Sequence, residues 1–230
     1  MSGSVSLLSS DGAALLAARA YPHQRGKGAL WSDDPNLELP VRVPSGPLHN
    51  DASDSGSWPP ATLHDAFAAT VRAHSSLPAL RVKRGGHWIE WTYAQYYDAC
   101  KLFGRACLHP SVRLDPTAAV AVLAFNSPEW VIAAVGTIFA GGLHVGVYTT
   151  ATAAAAEYVI ANAGTQIAVC DDAVQLDKAL RARRGAAGPT LRAIVLTMGD
   201  KPTAVAAEPG VYTWKEFLAL GEQVAESTRE

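Results

Sequence analysis

The chain has 230 residues, of which 49% are hydrophobic and 17% are charged, and its formal net charge is −2. This composition is typical of a globular protein and argues against global disorder. Because nucleic-acid binding needs a concentrated basic surface, a nearly neutral chain gives no reason to expect a nucleic-acid partner.

The cysteines and histidines indicate neither a disulfide framework nor a metal site. Cys100, Cys107 and Cys170 form no C-x-x-C pair, and we interpret them as buried thiols of a reducing compartment. The seven histidines lack metal-ligand spacing. The N-terminus has no early positive charge, so no signal peptide is indicated. We expect an intracellular protein, cytoplasmic or endomembrane-associated, with an organelle left open.

Residues 1–60 carry little periodic pattern. Seven prolines interrupt them, and a run rich in Ser, Asp and Gly extends from Asp51 to Ser57. Such composition is typical of irregular segments. We therefore divide the chain into an irregular arm and linker, residues 1–60, and one domain, residues 61–230.

From residue 61 the sequence predicts a helix, a hairpin and a second helix. Each helix begins with a capping box, in which side chains three residues apart satisfy free backbone N–H groups: Thr62 with Asp65, and Thr92 with Gln95. Alternating apolar residues on both sides of Arg84-Gly85-Gly86 indicate the hairpin. The predicted ranges are 63–74 for the first helix, 79–83 and 87–91 for the strands, and 93–107 for the second helix.

From residue 117 onward strands and helices alternate. The continuous apolar run from Thr117 to Phe125 is typical of a strand covered on both faces. Ser127-Pro128-Glu129 supplies an N-cap hydroxyl, a first-turn proline and an acidic group, which together predict a helix start. The predicted elements are helices at 128–140, 153–163 and 173–184, strands at 143–147, 166–170 and 191–197, and a short helix from a capping box at Thr213 to Gly221.

This alternation predicts the fold class. Strands joined by helical crossovers pair in parallel, and the crossovers are right-handed. We expect an α/β domain of three layers, with a mostly parallel sheet between helices on both faces. The uncharged stretch from Trp130 to Tyr148 is long enough to cross a bilayer, but Gly141-Gly142 interrupts it. We interpret it as a buried helix that leads into a buried strand.

Local catalytic motifs are absent from the sequence. It contains no G-x-x-x-x-G-K-[ST] loop, no G-x-G-x-x-G after a strand and no G-x-S-x-G, so the corresponding nucleotide-binding proteins and Ser-His-Asp hydrolases are not indicated. His144 stands in an apolar segment and is interpreted as a hydrogen-bonded core residue rather than a base. Asp171-Asp172 is interpreted as a helix N-cap.

Binding residues are therefore sought by position in the predicted sheet. In an open parallel sheet, ligands bind outside the carboxyl ends of the strands. Tyr148, Thr149 and Thr150 follow one strand and supply a phenol and two hydroxyls, and Asn126 follows the strand before it. We expect these four residues to form part of a substrate-pocket wall. A packed tyrosine beside a helix N-cap is the alternative.

Five segments of the chain are recognisable together. The longest, Val120 to Cys170, reads VAVLAFNSPEWVIAAVGTIFAGGLHVGVYTTATAAAAEYVIANAGTQIAVC. The others read ALWSDDPNLELPVRV, PALRVKRGGHWIEWTYAQYYDACKLFGRAC, QLDKAL followed by LRAIVL, and VYTWKEFLALG. In this order they resemble the N-terminal part of adenylate-forming acyl-CoA synthetases, most closely the bubblegum type that acts on long-chain and very-long-chain fatty acids. The sequence departs from the family at LHPSVRLDP, after Cys107, and at the alanine-rich helix after Thr150.

The resemblance implies an ATP-dependent long-chain fatty acid–CoA ligase. In such an enzyme a fatty carboxylate attacks the α-phosphate of ATP and pyrophosphate leaves, Mg²⁺ and cationic groups offset the phosphoryl charge, and the thiol of coenzyme A then displaces AMP. The complete enzyme is thus expected to use ATP, Mg²⁺ and coenzyme A with a fatty acid. Peripheral membrane association of that enzyme is left open.

The family's phosphate-binding loop, Y-T-S-G-T-T-G-x-P-K-G, does not occur in residues 1–230. The resemblance therefore assigns no catalytic residue here and predicts an N-terminal fragment of a ligase, inactive by itself and binding no cofactor. The alternative is a non-catalytic truncated product or interaction module of the same fold. A dinucleotide-binding protein is disfavoured, because the glycine motif is missing. Unpaired sheet edges predict that the fragment self-associates or is poorly soluble.

Overall fold

The computed structural model describes residues 62–188 and 190–224. Six helices, seven strands and one 3₁₀ turn are assigned within these ranges. In chain order they are α1 (Leu63–His74), β1 (Pro78–Arg84), β2 (His87–Thr92), α2 (Tyr93–Leu108), β3 (Ala119–Leu123), α3 (Pro128–Phe139), β4 (Leu143–Gly146), α4 (Ala153–Asn162), β5 (Thr165–Cys170), α5 (Ala173–Arg184), β6 (Ala193–Leu196), the 3₁₀ turn (Thr203–Val205), β7 (Val211–Thr213) and α6 (Trp214–Glu222).

The central sheet is parallel throughout, in the order β4-β3-β5-β6-β7. Strands β3, β5 and β6 are buried along their whole length. Successive residues of a strand point to opposite faces. Val120 and Val122 accordingly pack in one apolar cluster, with residues of α2, α3 and α6, while Ala121 and Leu123 pack in another, with residues of α4 and α5. The predicted three-layer α/β fold is confirmed.

The hairpin is formed as predicted. Strands β1 and β2 pair antiparallel, and both turn glycines have positive φ, +56° at Gly85 and +83° at Gly86, as a two-residue hairpin turn of the mirror-image type requires. Arg84 at the turn forms a two-pronged ion pair with Glu129 in the first turn of α3, over 2.9 and 2.6 Å. This pair joins the hairpin to the helix that precedes β4.

The helix starts also follow the sequence signals. Thr92 and Gln95 form the reciprocal capping box of α2, and Thr213 and Glu216 form that of α6. The hydroxyl of Ser127 accepts a hydrogen bond from the Trp130 N–H, with a proline in the first turn of α3. Helix α6 ends one residue later than predicted, and the three-residue strand β7 was not predicted, because three residues carry no readable periodicity.

Two strand predictions need correction. Strand β4 was expected to be buried, but it lies at the edge of the sheet and Leu143 is 56% exposed. The strand predicted from Thr117 to Phe125 is shorter, because the chain leaves the sheet after Leu123 and Phe125 is 73% exposed. Apolar runs report hydrophobicity, whereas burial also depends on which strands lie alongside.

The three cysteines are free and buried, as expected, and burial raises the pKa of each thiol above its ordinary value. Among the described helices, none has both the length and the apolar character that a membrane crossing demands. The predicted irregular arm, residues 1–60, lies outside the described residues, and the division of the chain at residue 60 stays a prediction.

Candidate functional site

A cleft of about 450 Å³ opens at the carboxyl ends of β3 and β4. It is lined by Ala124, Phe125, Asn126, Trp130, Gly146, Val147, Tyr148, Thr149 and Thr150. Because β3 and β4 pair in parallel, the residues that follow them emerge at the same edge of the sheet. The four residues predicted from their strand-end positions, Asn126, Tyr148, Thr149 and Thr150, thus surround one cleft.

The described side chains that line the cleft are uncharged. Among the described residues no Lys, Arg, His, Asp or Glu lines the cleft, and the polar side-chain groups of the lining are one amide, two threonine hydroxyls, one phenol and the indole N–H of Trp130. Tyr148 is 86% exposed, so the alternative of a packed tyrosine is wrong. The cleft therefore offers apolar contact and neutral hydrogen bonds rather than charge neutralisation.

Asp171 fixes the end of β3 from the neighbouring strand. Its Oδ2 accepts a hydrogen bond of 2.8 Å from the backbone N–H of Phe125, a lining residue. The side chain is buried, and its Oδ1 has no hydrogen-bond partner within the described part of the chain. The N-cap interpretation holds for Asp172 alone, whose Oδ1 accepts from the Gln175 N–H at 2.8 Å.

A second set of polar contacts holds the loop after β4. The carbonyl oxygen of Thr149 accepts hydrogen bonds from Lys178 Nζ at 2.8 Å and from Gln175 Nε2 at 3.3 Å. Sequence reasoning did not single out these two α5 residues as part of the site. Their spacing of three places both on one face of a helix, and this spacing is the signal that was available.

His144 lies on β4 and contacts Trp130, a lining residue of the cleft. Its ring forms a T-shaped contact with the Trp130 indole, with ring centroids 5.1 Å apart and ring planes at 80°. The hydrogen-bonded core role predicted for His144 is wrong, since its Nε2 is buried with no hydrogen-bond partner among the described residues. Burial lowers the pKa of His144, which favours a neutral ring.

Comparison with solved structures defines the class of fold. The chain matches the A-PCP didomain of carboxylic acid reductase from Segniliparus rugosus in complex with AMP, with a TM-score of 0.59 and 15% identity over 72% of this chain and 27% of that one. It also matches the anthranilate CoA ligase AuaEII in complex with anthranoyl-AMP, with a TM-score of 0.56 and 19% identity over 72% and 28%. The fold is that of acyl-CoA synthetase-like adenylation domains.

Sequence comparison then defines the family. Residues 67–226 match the family model of the AMP-binding enzymes. The chain is 38% identical over 198 residues to the long-chain-fatty-acid–CoA ligase ACSBG2 of Xenopus laevis, which is 86% of this chain and 25% of that protein. It is 36% identical over 170 residues to ACSBG1 of Bos taurus, 74% of this chain and 22% of that protein.

The chain therefore belongs to the AMP-binding enzyme family, and its resemblance to the bubblegum-type ligases is confirmed. It spans about a quarter of the length of the curated relatives it matches.

Proposed function

We propose that these residues are the N-terminal part of an ATP-dependent long-chain fatty acid–CoA ligase. One observation carries the proposal: the residues selected by strand-end position line a single cleft in a chain that is 38% identical to a ligase of this kind. Strand ends are where open parallel sheets bind their ligands. The complete enzyme would form an acyl-adenylate from fatty acid and ATP with release of pyrophosphate, and then a thioester with coenzyme A with release of AMP.

The part of the substrate that meets the cleft is proposed to be uncharged. The described lining of the cleft does not fit the phosphates of ATP or a Mg²⁺ ion, because these nine residues include no cationic side chain and no carboxylate. Within 62–188 and 190–224 no three His, Cys, Asp or Glu side chains form a group that could hold a metal. We therefore assign this wall to substrate positioning and route no chemical step through it.

The activity test compares residues 1–230 with the complete ligase. With palmitate, ATP, Mg²⁺ and coenzyme A, we expect the complete ligase to form palmitoyl-CoA and AMP. We expect residues 1–230 to form neither, because their sequence lacks the family's phosphate-binding loop. Thioester formed by pure residues 1–230 would contradict the proposal, and a complete ligase without product would reject the function altogether.

The cleft is tested by filling it at Gly146. A Cβ added there meets only the Cε1 atom of His144, at 3.9 Å, so Gly146→Ala fits without strain. The larger side chain of Gly146→Leu takes up cleft volume. In the complete ligase we expect Gly146→Leu to raise the KM of a substrate at unchanged Tm, with Gly146→Ala as the matched control. Equal KM values in the two variants would show that the cleft is not part of the substrate-binding site.

Self-association is the expected property of residues 1–230 in isolation. The outer edge of β4 pairs with no other strand in the described ranges, and exposed strand edges promote pairing between chains. We expect light scattering to show dimers or larger species, and Leu143→Lys to shift the population toward monomer. A monodisperse wild-type monomer would contradict this expectation.

The complete ligase is proposed to be intracellular, where ATP and coenzyme A are available, and either cytoplasmic or peripherally associated with an internal membrane. Fractionation of cells that express the tagged complete protein checks this. We expect it in the cytosol or in a membrane fraction from which high salt or alkaline carbonate releases it. Resistance to both treatments would contradict peripheral attachment.

A further inference from the structure

Two of the segments that carry the family resemblance meet at one backbone oxygen. The carbonyl oxygen of Thr149 accepts from Lys178 Nζ at 2.8 Å and from Gln175 Nε2 at 3.3 Å, and the same Nζ donates to Gln175 Oε1 at 2.9 Å. Thr149 belongs to the Tyr-Thr-Thr sequence after β4, whereas both donors belong to QLDKAL on α5. Two hydrogen bonds therefore join loop and helix, and a third, within the helix, links the two donors.

The helix side of this contact is firmly anchored. Gln175 is buried, and its backbone N–H is held by the N-cap carboxylate of Asp172 at 2.8 Å. The next residue, Leu176, and the residue after Lys178, Ala179, are buried in the cluster between α4, α5 and the sheet. The two donors thus stand on a rigid element.

The loop side is weakly held by comparison. It follows the edge strand, Tyr148 is largely exposed, and the hydrogen bond from the Ala151 N–H to the Tyr148 carbonyl, at 3.0 Å, closes a single turn. Fixing the Thr149 carbonyl fixes the peptide plane between Thr149 and Thr150, and thereby limits the backbone conformations from which both side chains reach the cleft. An ammonium donor makes this bond stronger than a neutral one.

We propose that Lys178, assisted by Gln175, is a positioning residue that holds the cleft wall at 148–150 in its ligand-binding conformation. The inference rests on the proposed function of the cleft as a substrate wall. Lys178 acts through the Thr149 carbonyl and does not line the cleft.

The kinetic test uses the complete ligase with Lys178→Met, which removes the ammonium and keeps the apolar stem. We expect the KM of palmitate, ATP or coenzyme A to rise about tenfold, as for a lost hydrogen bond to a charged group, while kcat stays within about twofold. Lys178→Arg still donates and should restore most of the affinity. Lys215→Met, at an exposed position on α6, is the control and should change nothing. Three unchanged KM values, or a loss confined to kcat, would overturn the inference.

A second readout needs no activity. In residues 1–230, we expect Lys178→Met to accelerate amide hydrogen exchange in peptides covering 148–151 and Lys178→Arg to slow it again. Gln175→Met removes the longer bond to Thr149 and the bond from Lys178 to Gln175, but it leaves the bond from Lys178 to Thr149. It should give a smaller acceleration, which keeps the test available if Lys178→Met does not fold. Unchanged exchange in both variants would reject the contact. A wild-type ligase that forms no thioester would reject the proposed function, while the exchange result still decides on the positioning role.

Discussion

Different forces hold the centre of the sheet and its carboxyl-end rim. The rim consists of the residues that follow β3, β4 and β5. The centre is buried and mainly apolar, since β3, β5 and β6 expose no residue and their apolar side chains pack in a cluster on each face of the sheet. At the rim, single polar side chains reach backbone groups across the fold: Asp171 to the Phe125 N–H, and Lys178 to the Thr149 carbonyl. Burial of apolar area stabilises the fold, whereas directional hydrogen bonds set the shape of the cleft. Substitutions in the centre should therefore mainly lower the stability of the fold, whereas substitutions at the rim should mainly change the shape of the cleft.

The largest effect is expected in the centre. Leu123 in β3 is fully buried between the sheet and helices α4 and α5, whereas Leu143 in the adjacent strand β4 is 56% exposed. Leu123→Ala should lower the free energy of unfolding by about 2–5 kcal/mol, from lost burial and the cavity left behind. Leu143→Ala, the matched control, should cost less than about 1 kcal/mol. Equal losses in urea unfolding would contradict the distinction between centre and edge.

An intermediate effect is expected at the rim. Asp171→Ala leaves the Phe125 N–H without its acceptor and should cost about 1–3 kcal/mol of unfolding free energy. Asp171→Asn keeps an acceptor oxygen at the same place and should cost less. Faster amide exchange at Phe125 in the alanine variant alone would locate the loss at this bond. Equal stability of both variants and the wild type would show that the contact contributes nothing measurable.

The same contrast explains what the sequence could predict. The parallel strands were found because continuous apolar runs such as Val120 to Leu123 report burial on two faces. The cleft residues Asn126 and Tyr148 could be predicted because, once the strands are located in the sequence, the residues that follow their carboxyl ends are known as well. The contact of Asp171 with Phe125 joins residues 46 positions apart, and that of Lys178 with Thr149 joins residues 29 positions apart. No local sequence pattern encodes such a pairing. The edge position of β4 was missed for the same reason, since strand order is a property of the assembled sheet.

The smallest effect concerns pH and is expected at His144, in the edge strand β4. Burial lowers the pKa of His144 in the folded chain below the value of about 6.5 that the unfolded chain retains. The unfolded state therefore binds the proton more readily, and the free energy of unfolding should fall as the pH drops below about 6.5. Its neighbour Trp130 is apolar and offers the protonated ring no ion pair. His144→Gln abolishes this titration while the histidines elsewhere in the chain remain.

Urea unfolding of both proteins between pH 7.5 and 5.5 isolates the contribution, because the carboxyls of Asp115 and Glu216, whose pKa values are lowered, stay ionised in that range. We expect a smaller loss of stability on acidification in His144→Gln than in the wild type. An equal or larger loss in the variant would mean that protonation of His144 is at least as favourable in the folded chain as in water, and would contradict this prediction.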